Sequence, residues 1–332
     1  MFLPDNKLVI FTLFSLIIMG ICSCEKEIDL VVPPADNKYV IEGNIEIGQP
    51  AFVLVSQTRN YNESVNAEQF NDFYLEGAVV EVSNGTTIEI LDEICTGDLS
   101  IDLLFVVSEI TGLSPILLSS ADLCAYIDLD GSMLGQENNT YDLKVSIDDT
   151  ILTSTTTIPN SVELDSLWFS VAGDNGSLDS LGYAYAKLTD PDTAGNAYRW
   201  FAKRINVYPE WADYAGQQKD FQYIAPLGSS YDDSFFNGLT FEFAYYRGSI
   251  LGSPKADDQN IERGFFKYGD TIAVKGATID RETYDYVVTF EAEAGSAGNP
   301  FTVPTPISSN INGGLGIWAG YATVLDTIIA AP

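Results

Sequence analysis

Residues 76–91 read EGAVVEVSNGTTIEIL. Two runs of β-branched and apolar residues, Glu76–Val82 and Thr86–Leu91, flank Ser83-Asn84-Gly85, and Asn-Gly readily takes the positive backbone angles that a tight hairpin turn requires. The segment predicts a β-hairpin, and the same pattern extends outward from it. Upstream, Lys38–Ile45 (KYVIEGNI) and Ala51–Gln57 (AFVLVSQ) show alternation or β-branched runs; downstream, Tyr141–Ile147 and Ile151–Ile158 enclose the acidic turn Asp148-Asp149. Six short strands around turns imply an antiparallel β-sandwich of the immunoglobulin or transthyretin type over residues 38–159. The pattern breaks at residues 95–135, where Leu99–Leu118 and Ser119–Ile127 are apolar enough to fold as a cap carrying one short helix.

Beyond Asn160 the composition shifts: 28 of the 40 aromatic residues and all four tryptophans lie there. A second β-rich domain is expected over residues 160–332, with strands at Leu167–Val171, Tyr183–Leu188, Tyr198–Val207, Leu239–Tyr246 and Asp270–Ala277, separated by Gly, Asp and Pro clusters. One segment differs. Asp280 is an N-cap residue, Tyr284, Val287, Val288 and Ala292 share a face, and Asp280–Ala294 therefore reads as a helix ended by Gly295. The glycines of Asn312-Gly313-Gly314-Leu315-Gly316 follow no strand-to-helix context and read as a turn with close backbone approach.

At the other end, Lys7 precedes an apolar run, Leu8–Ile21, too short to span a bilayer as an ordinary helix, which describes a signal peptide over residues 1–23. Ser23 places a small residue directly before Cys24, as in a bacterial lipobox, so Cys24 is the expected lipidation site; Cys22 follows the branched Ile21 and suits the processing step poorly. Two or more acyl chains make such anchoring stable. Residues 24–37 would then form a lipidated tether, in which Glu25, Lys26, Glu27 and Asp29 resemble an acidic surface-export signal.

The net charge is −31, and between Asn60 and Leu143 there are 16 acidic residues with no Lys or Arg. A surface of this sign repels phosphate and excludes nucleic acid as a partner. The plain reading of the acidity is a solvated outer face; the functional reading is calcium or a cationic partner. With 46% hydrophobic and 19% charged residues, a sizeable core is expected rather than disorder.

The sequence contains no histidine. Ser-His-Asp and Cys-His nucleophile systems, His-based metalloproteases and the usual zinc and copper sites are thereby excluded, and no phosphate-binding loop motif occurs. The only body cysteines, Cys95 and Cys124, are either a disulfide closing a loop of about 30 residues, worth about 3 kcal/mol in the chain-entropy model, or two buried thiols. Asp128-Leu129-Asp130-Gly131-Ser132 with Glu137 or Asn139 begins like an EF-hand but sets Gly one step after the second Asp. Asp128, Asp130 and Glu137 are the candidate calcium ligands, and an Asx-capped acidic turn is the plainer account; Asp190-Pro191-Asp192 near Asn196 invites the same discount. No other cofactor is expected. Phe241, Phe243 and Tyr245 alternate as core positions do, whereas Trp211 and Tyr214 sit in a polar, loop-like context suited to stacking on a sugar or filling a partner's pocket.

The stretch GDTIAVKGATIDRETYDYVVTFEAEAGSAGNPFTVPTPISSNINGGLGIWAGYA, residues 269–322, resembles the closing part of a Bacteroidota lipoprotein family, domain of unknown function 4249. Further stretches agree with that family in the same order: EKEIDL after Cys24, YVIEGNI at 39–45, TTTIP at 155–159, DPDTAGNAYRWFAKR at 190–204 and DDSFFNG at 232–238. Residues 95–135 fit it least well. The resemblance implies an outer-membrane lipoprotein whose gene sits beside a TonB-dependent transporter. The leading expectation is a non-enzymatic accessory of such a β-barrel complex, facing the cell exterior. A free-standing glycan-binding or adhesion lipoprotein is the alternative, and a carboxylate-dependent hydrolase the third.

Overall fold

The computed structural model describes residues 37–59, 74–111, 115–120, 123–173, 180–206, 220, 222–248, 264–296, 302–303 and 305–331, all within one compact unit. The chain is mainly β and β-sandwich-like. Alternating burial sets its strands: β1 (Tyr39–Glu46) and β2 (Phe52–Gln57) send Ile41, Ile45, Val53 and Val55 inward and their even-numbered neighbours outward. The opening hairpin is β3 (Val79–Ser83) and β4 (Ile88–Ile90), with Gly85 at φ 83° and Asn84 Oδ1 accepting from the Thr86 and Thr87 amides at 3.0 and 2.8 Å.

Inside the region expected as a cap, β5 (Asp92–Cys95) and β6 (Cys124–Ile127) pair antiparallel and bracket two helices, α1 (Ile101–Thr111) and α2 (Pro115–Ser120), rather than one. The hairpin of β7 (Asn139–Ile147) and β8 (Thr150–Ile158) turns at Asp148, φ 48°. After it come β9 (Ser166–Val171), β10 (Leu181–Thr189), β11 (Ala197–Arg204), β12 (Ser230–Asp232), β13 (Thr240–Tyr245), β14 (Phe266–Lys267) and β15 (Thr271–Ile279). The expected helix is α3 (Arg281–Ser296), one turn's fraction longer than its sequence signal, with the Thr283 amide donating to Asp280 Oδ1 at 2.9 Å. The other oxygen of Asp280 accepts from the Thr157 amide at 3.1 Å, so the helix cap also pins β8.

The last strand, β16 (Leu315–Ile329), has no counterpart among the expected ones. It lies between β15 and β1, and its pairing with β1 is parallel, which corrects the purely antiparallel expectation. Gly316 makes this possible: at φ 106° it approaches β1 so closely that a Cβ would stand 1.9 Å from the Ile41 carbonyl oxygen. The resulting eight-stranded sheet runs β12-β11-β15-β16-β1-β2-β6-β5. One core lies between it and the β4-β3-β7-β8 sheet, centred on Ile41, Val53, Tyr141, Leu152 and Trp318. A second lies between it and the sheet of β9, β10, β13 and β14, centred on Ala184, Trp200, Tyr245 and Phe266. The composition shift at residue 160 thus marks passage from one core to the next, while hydrogen bonding of the large sheet continues across it.

Candidate functional site

Burial directs one face of the large sheet to the two cores, so anything the molecule binds on that sheet meets its outer face. On β2, Phe52 and Leu54 point outward between buried Val53 and Val55; on β6, Ala125 and Ile127 do the same. The helices of the insertion stand over these positions. Cys95 and Cys124 are direct cross-strand partners with Cα atoms 4.0 Å apart, and they form a disulfide. Thr96 and Leu123 continue the clasp: the Thr96 amide donates to the Leu123 carbonyl at 3.0 Å, and the Leu123 amide donates to Thr96 Oγ1 at 2.9 Å. From this closed base, Leu104 and Leu118 pack with Leu123 to hold α1 and α2 together.

Between the helices and the sheet lies a cavity of about 360 Å³. Leu103, Val107 and Leu118 form its roof; Phe52, Leu54, Ile94, Ala125 and Ile127 form its floor. Thr96 and Tyr74 bring the only side-chain oxygens among its described lining residues. Helix α1 also points apolar groups away from it, since Ile101 and Phe105, one turn apart, are 73% and 50% exposed, and Ile116 on α2 is 80% exposed. Apolar groups on more than one side of a helix call for cover on each of those sides. Here one side has none among the described residues.

The cross-strand pair Phe52 and Ile127 forms one wall of this cavity and, on its other side, one wall of a polar groove of about 370 Å³. Asn44, Glu46, Gln49, Phe201, Lys275 and Tyr321 line the groove. Lys275 Nζ donates to Glu46 Oε2 at 2.9 Å and lies 4.9 Å from the centre of the Phe201 ring. Thr323 donates to the second Glu46 oxygen at 2.9 Å. The Tyr286 phenol, on the face of α3 toward this sheet, is pushed up to about 12, chiefly by burial and then by the charge of Glu42.

A third feature occupies the outer face of the other sheet. Along β10 small residues point inward (Ala184, Ala186) and large ones outward (Tyr183, Tyr185). Trp168 sits opposite Tyr185 with rings 5.8 Å apart, and Phe265 lies 5.1 Å from Tyr183. Tyr183, Tyr185 and Phe265 border a shallow recess of about 450 Å³ with Tyr246, and Trp168 extends the row beyond it.

The sequence profile of a family described as Domain of unknown function (DUF4249) matches residues 25–325. The chain belongs to this family. No curated protein matches it in sequence. The DUF4249 match begins one residue after Cys24 and spans the insertion, both cores and most of β16.

Of the sites read from the DUF4249 sequence, Cys95 and Cys124 are brought together. Cys24, Glu25, Lys26, Glu27 and Asp29 lie outside the described residues, as do Trp211 and Tyr214. Asp128, Asp130 and Glu137 are not gathered round one point. Asp128 is buried and accepts from the Met133 amide at 2.8 Å, Asp130 is exposed, and Glu137 accepts from the Ser161 amide at 3.0 Å. Among the described residues, the one trio of carboxylates and sulfurs within 4.8 Å is Glu76, Cys95 and Cys124, whose sulfurs are bonded to each other. Buried Asp190 and Asp233 spend their oxygens on the protein itself: Gly238 N–H donates to Asp190 at 3.0 Å, and the Gly195 and Asn196 amides donate to Asp233 at 2.7 and 2.9 Å. Phe243 and Tyr245 pack in the second core, as their alternation implied, whereas half-buried Phe241 lies outside that cluster with its ring 4.3 Å from Phe236. The apolar cavity and the aromatic row were not anticipated. The signals were present: α1 carries apolar residues around more than one side, with Ile101, Leu103, Leu104 and Phe105 nearly consecutive, and GYAYA at 182–186 inverts the usual order by putting small residues inside.

Proposed function

We propose that the chain is a lipid-anchored outer-membrane lipoprotein, tethered through Cys24 and facing the cell exterior, that serves without catalysis as a binding or assembly accessory of a TonB-dependent transporter or another β-barrel complex. The observation that carries this reading is the stapled insertion, which presents Ile101, Phe105 and Ile116 to solvent on helices fixed by a disulfide. Apolar side chains clustered on a rigid support mark surfaces that meet a partner. The lipid would hold that surface close to barrels in the same membrane, where a weak contact gains from a high effective concentration. Pull-down of the mature protein from outer membranes in mild detergent should recover a β-barrel protein. Ile101→Asp with Phe105→Asp should abolish that recovery at an unchanged melting temperature. Repeated isolation of the protein alone would remove the reading.

The alternative, a glycan-binding lipoprotein, draws support from the row Trp168, Tyr185, Tyr183 and Phe265, since flat rings at a sheet surface offer stacking faces to sugars. Affinity electrophoresis in polysaccharide gels tests it: Trp168→Ala with Tyr185→Ala should restore free migration. A panel of polysaccharides with no retardation of the parent chain would end it.

A further inference from the structure

The cavity under the insertion and the groove beside it share the Phe52 and Ile127 side chains as a common sill. On one side of the sill the lining is apolar apart from the Tyr74 hydroxyl. Thr96 Oγ1 is already engaged by the Leu123 amide, and the remaining described lining residues, Tyr74 apart, are apolar or sulfur-bearing. Apolar cavities of this kind stay dry and take apolar occupants, and about 360 Å³ lies within the roughly 300–1,000 Å³ range of small-molecule sites. On the other side, the chemistry reverses. Among the described residues the side-chain amides of Asn44 and Gln49 have no protein hydrogen-bond partner, so each offers a donor and an acceptor to whatever enters. The charges in the groove cancel, because Lys275 and Glu46 are paired.

We propose that this paired site binds an amphiphile: its hydrocarbon tail fills the cavity beneath α1 and α2, and its uncharged, hydroxyl-rich head lies over the sill against Asn44, Gln49 and Tyr321. The site selects against ionic heads because its own ion pair is internally neutral, so a sulfate or ammonium group would lose water without gaining an opposite charge. The disulfide and the Thr96–Leu123 bonds close the base of the insertion, and Leu104 and Leu118 pack on Leu123 from the roof, so the tail enters a preformed space. Occupancy of the cavity is separate from docking of the exposed ridge, because Ile101, Phe105 and Ile116 do not line it.

The test uses the chain from residue 24 with Cys24→Ser, so that no attached acyl chain competes, and titrates alkyl maltosides below their micelle concentrations by calorimetry. One site per chain is expected. Affinity should rise about fourfold per added methylene, the equivalent of about 0.8 kcal/mol for each buried CH₂, and then level off once the tail outgrows the cavity. Ala125→Trp, which fills the floor, should weaken binding at least tenfold, and Asn44→Ala with Gln49→Ala should weaken maltosides several-fold while leaving decanol unaffected. Decyl sulfate and decyltrimethylammonium should each bind at least tenfold more weakly than decyl maltoside. Affinity that climbs with tail length without levelling off, no saturable binding, or equal binding by Ala125→Trp overturns the proposal; the first two are read on the parent chain and need no variant to fold. Capture of an amphipathic peptide in the cavity instead of the alkyl maltoside also overturns it, by assigning the space to a protein segment. Recovery of a barrel partner by Ala125→Trp, with maltoside binding lost, distinguishes this site from the docking ridge.

Discussion

Trp318 shows how much one side chain organises. It is fully buried, its indole N–H donates to the Tyr141 carbonyl at 2.9 Å, and both its backbone groups are held by the Asn310 side-chain amide at 2.9 and 2.8 Å. Its ring packs against Gly43, where an added Cβ would stand 2.8 Å from Trp318 Cε3. Trp318→Ala should cost about 3–5 kcal/mol in urea unfolding, through lost burial and an open cavity in the first core. Glu137 works at a smaller scale. The Ser161 hydroxyl, and secondly its amide, donate to its carboxylate and hold it below the ordinary value of 4.5. A carboxyl lowered in the folded state contributes stability above that ordinary value and loses it as pH falls through the folded one. Ser161→Ala should therefore move Glu137 upward in a carboxyl NMR titration, and the stability gap between the two proteins should close on acidification through that window.

Elements reveal why some of the structure is legible in the sequence and some is not. The hairpins at Asn84-Gly85 and Asp148-Asp149 are local: turn chemistry and alternation sit within a dozen residues, so reading them requires no knowledge of the rest. The cap of α3 is equally local, Asp280 binding the Thr283 amide. Strand β16 lacks such signs because Gly316 and Gly320 interrupt its alternation and its partner β1 is some 270 residues earlier. The cavity depends on two helices folding back over strands brought together by long-range pairing, which no window of sequence contains. The disulfide was one of two readings open to Cys95 and Cys124 until their strands were seen to be paired. Its removal by Cys95→Ser with Cys124→Ser should cost about 3–4 kcal/mol on the entropic account of a loop with a separation of 29 residues. Hydrogen exchange should show the loss concentrated in α1, α2 and β5, because both cores lie outside that loop. Tyr126 gives an independent check on the same strand: its hydroxyl accepts from the Ala78 amide at 3.0 Å and donates to Glu93 at 2.7 Å. Tyr126→Phe should cost about 1–3 kcal/mol in thermal or urea unfolding while leaving the disulfide formed.

At the scale of the molecule, both cores rest on one sheet, and that sheet is completed from the two ends of the described chain. β1 opens it and β16 closes it; neither β1 nor β15 has both edges satisfied until Leu315–Ile329 slides between them. An edge left bare at the centre of a sheet invites pairing with other chains. A chain ending at residue 314 should appear as a protease-sensitive, aggregating species rather than a slightly shortened protein, which limited proteolysis and size-exclusion chromatography would show directly. Biosynthesis inherits a consequence from this. Since β16 is synthesised after every other described strand, neither core can be sealed before Leu315–Ile329 is made, and a chain broken off ahead of it never attains a protected state. Placing the keystone after the strands it joins makes its synthesis a condition of survival, so that proteolysis removes copies lacking it without any dedicated signal to mark them.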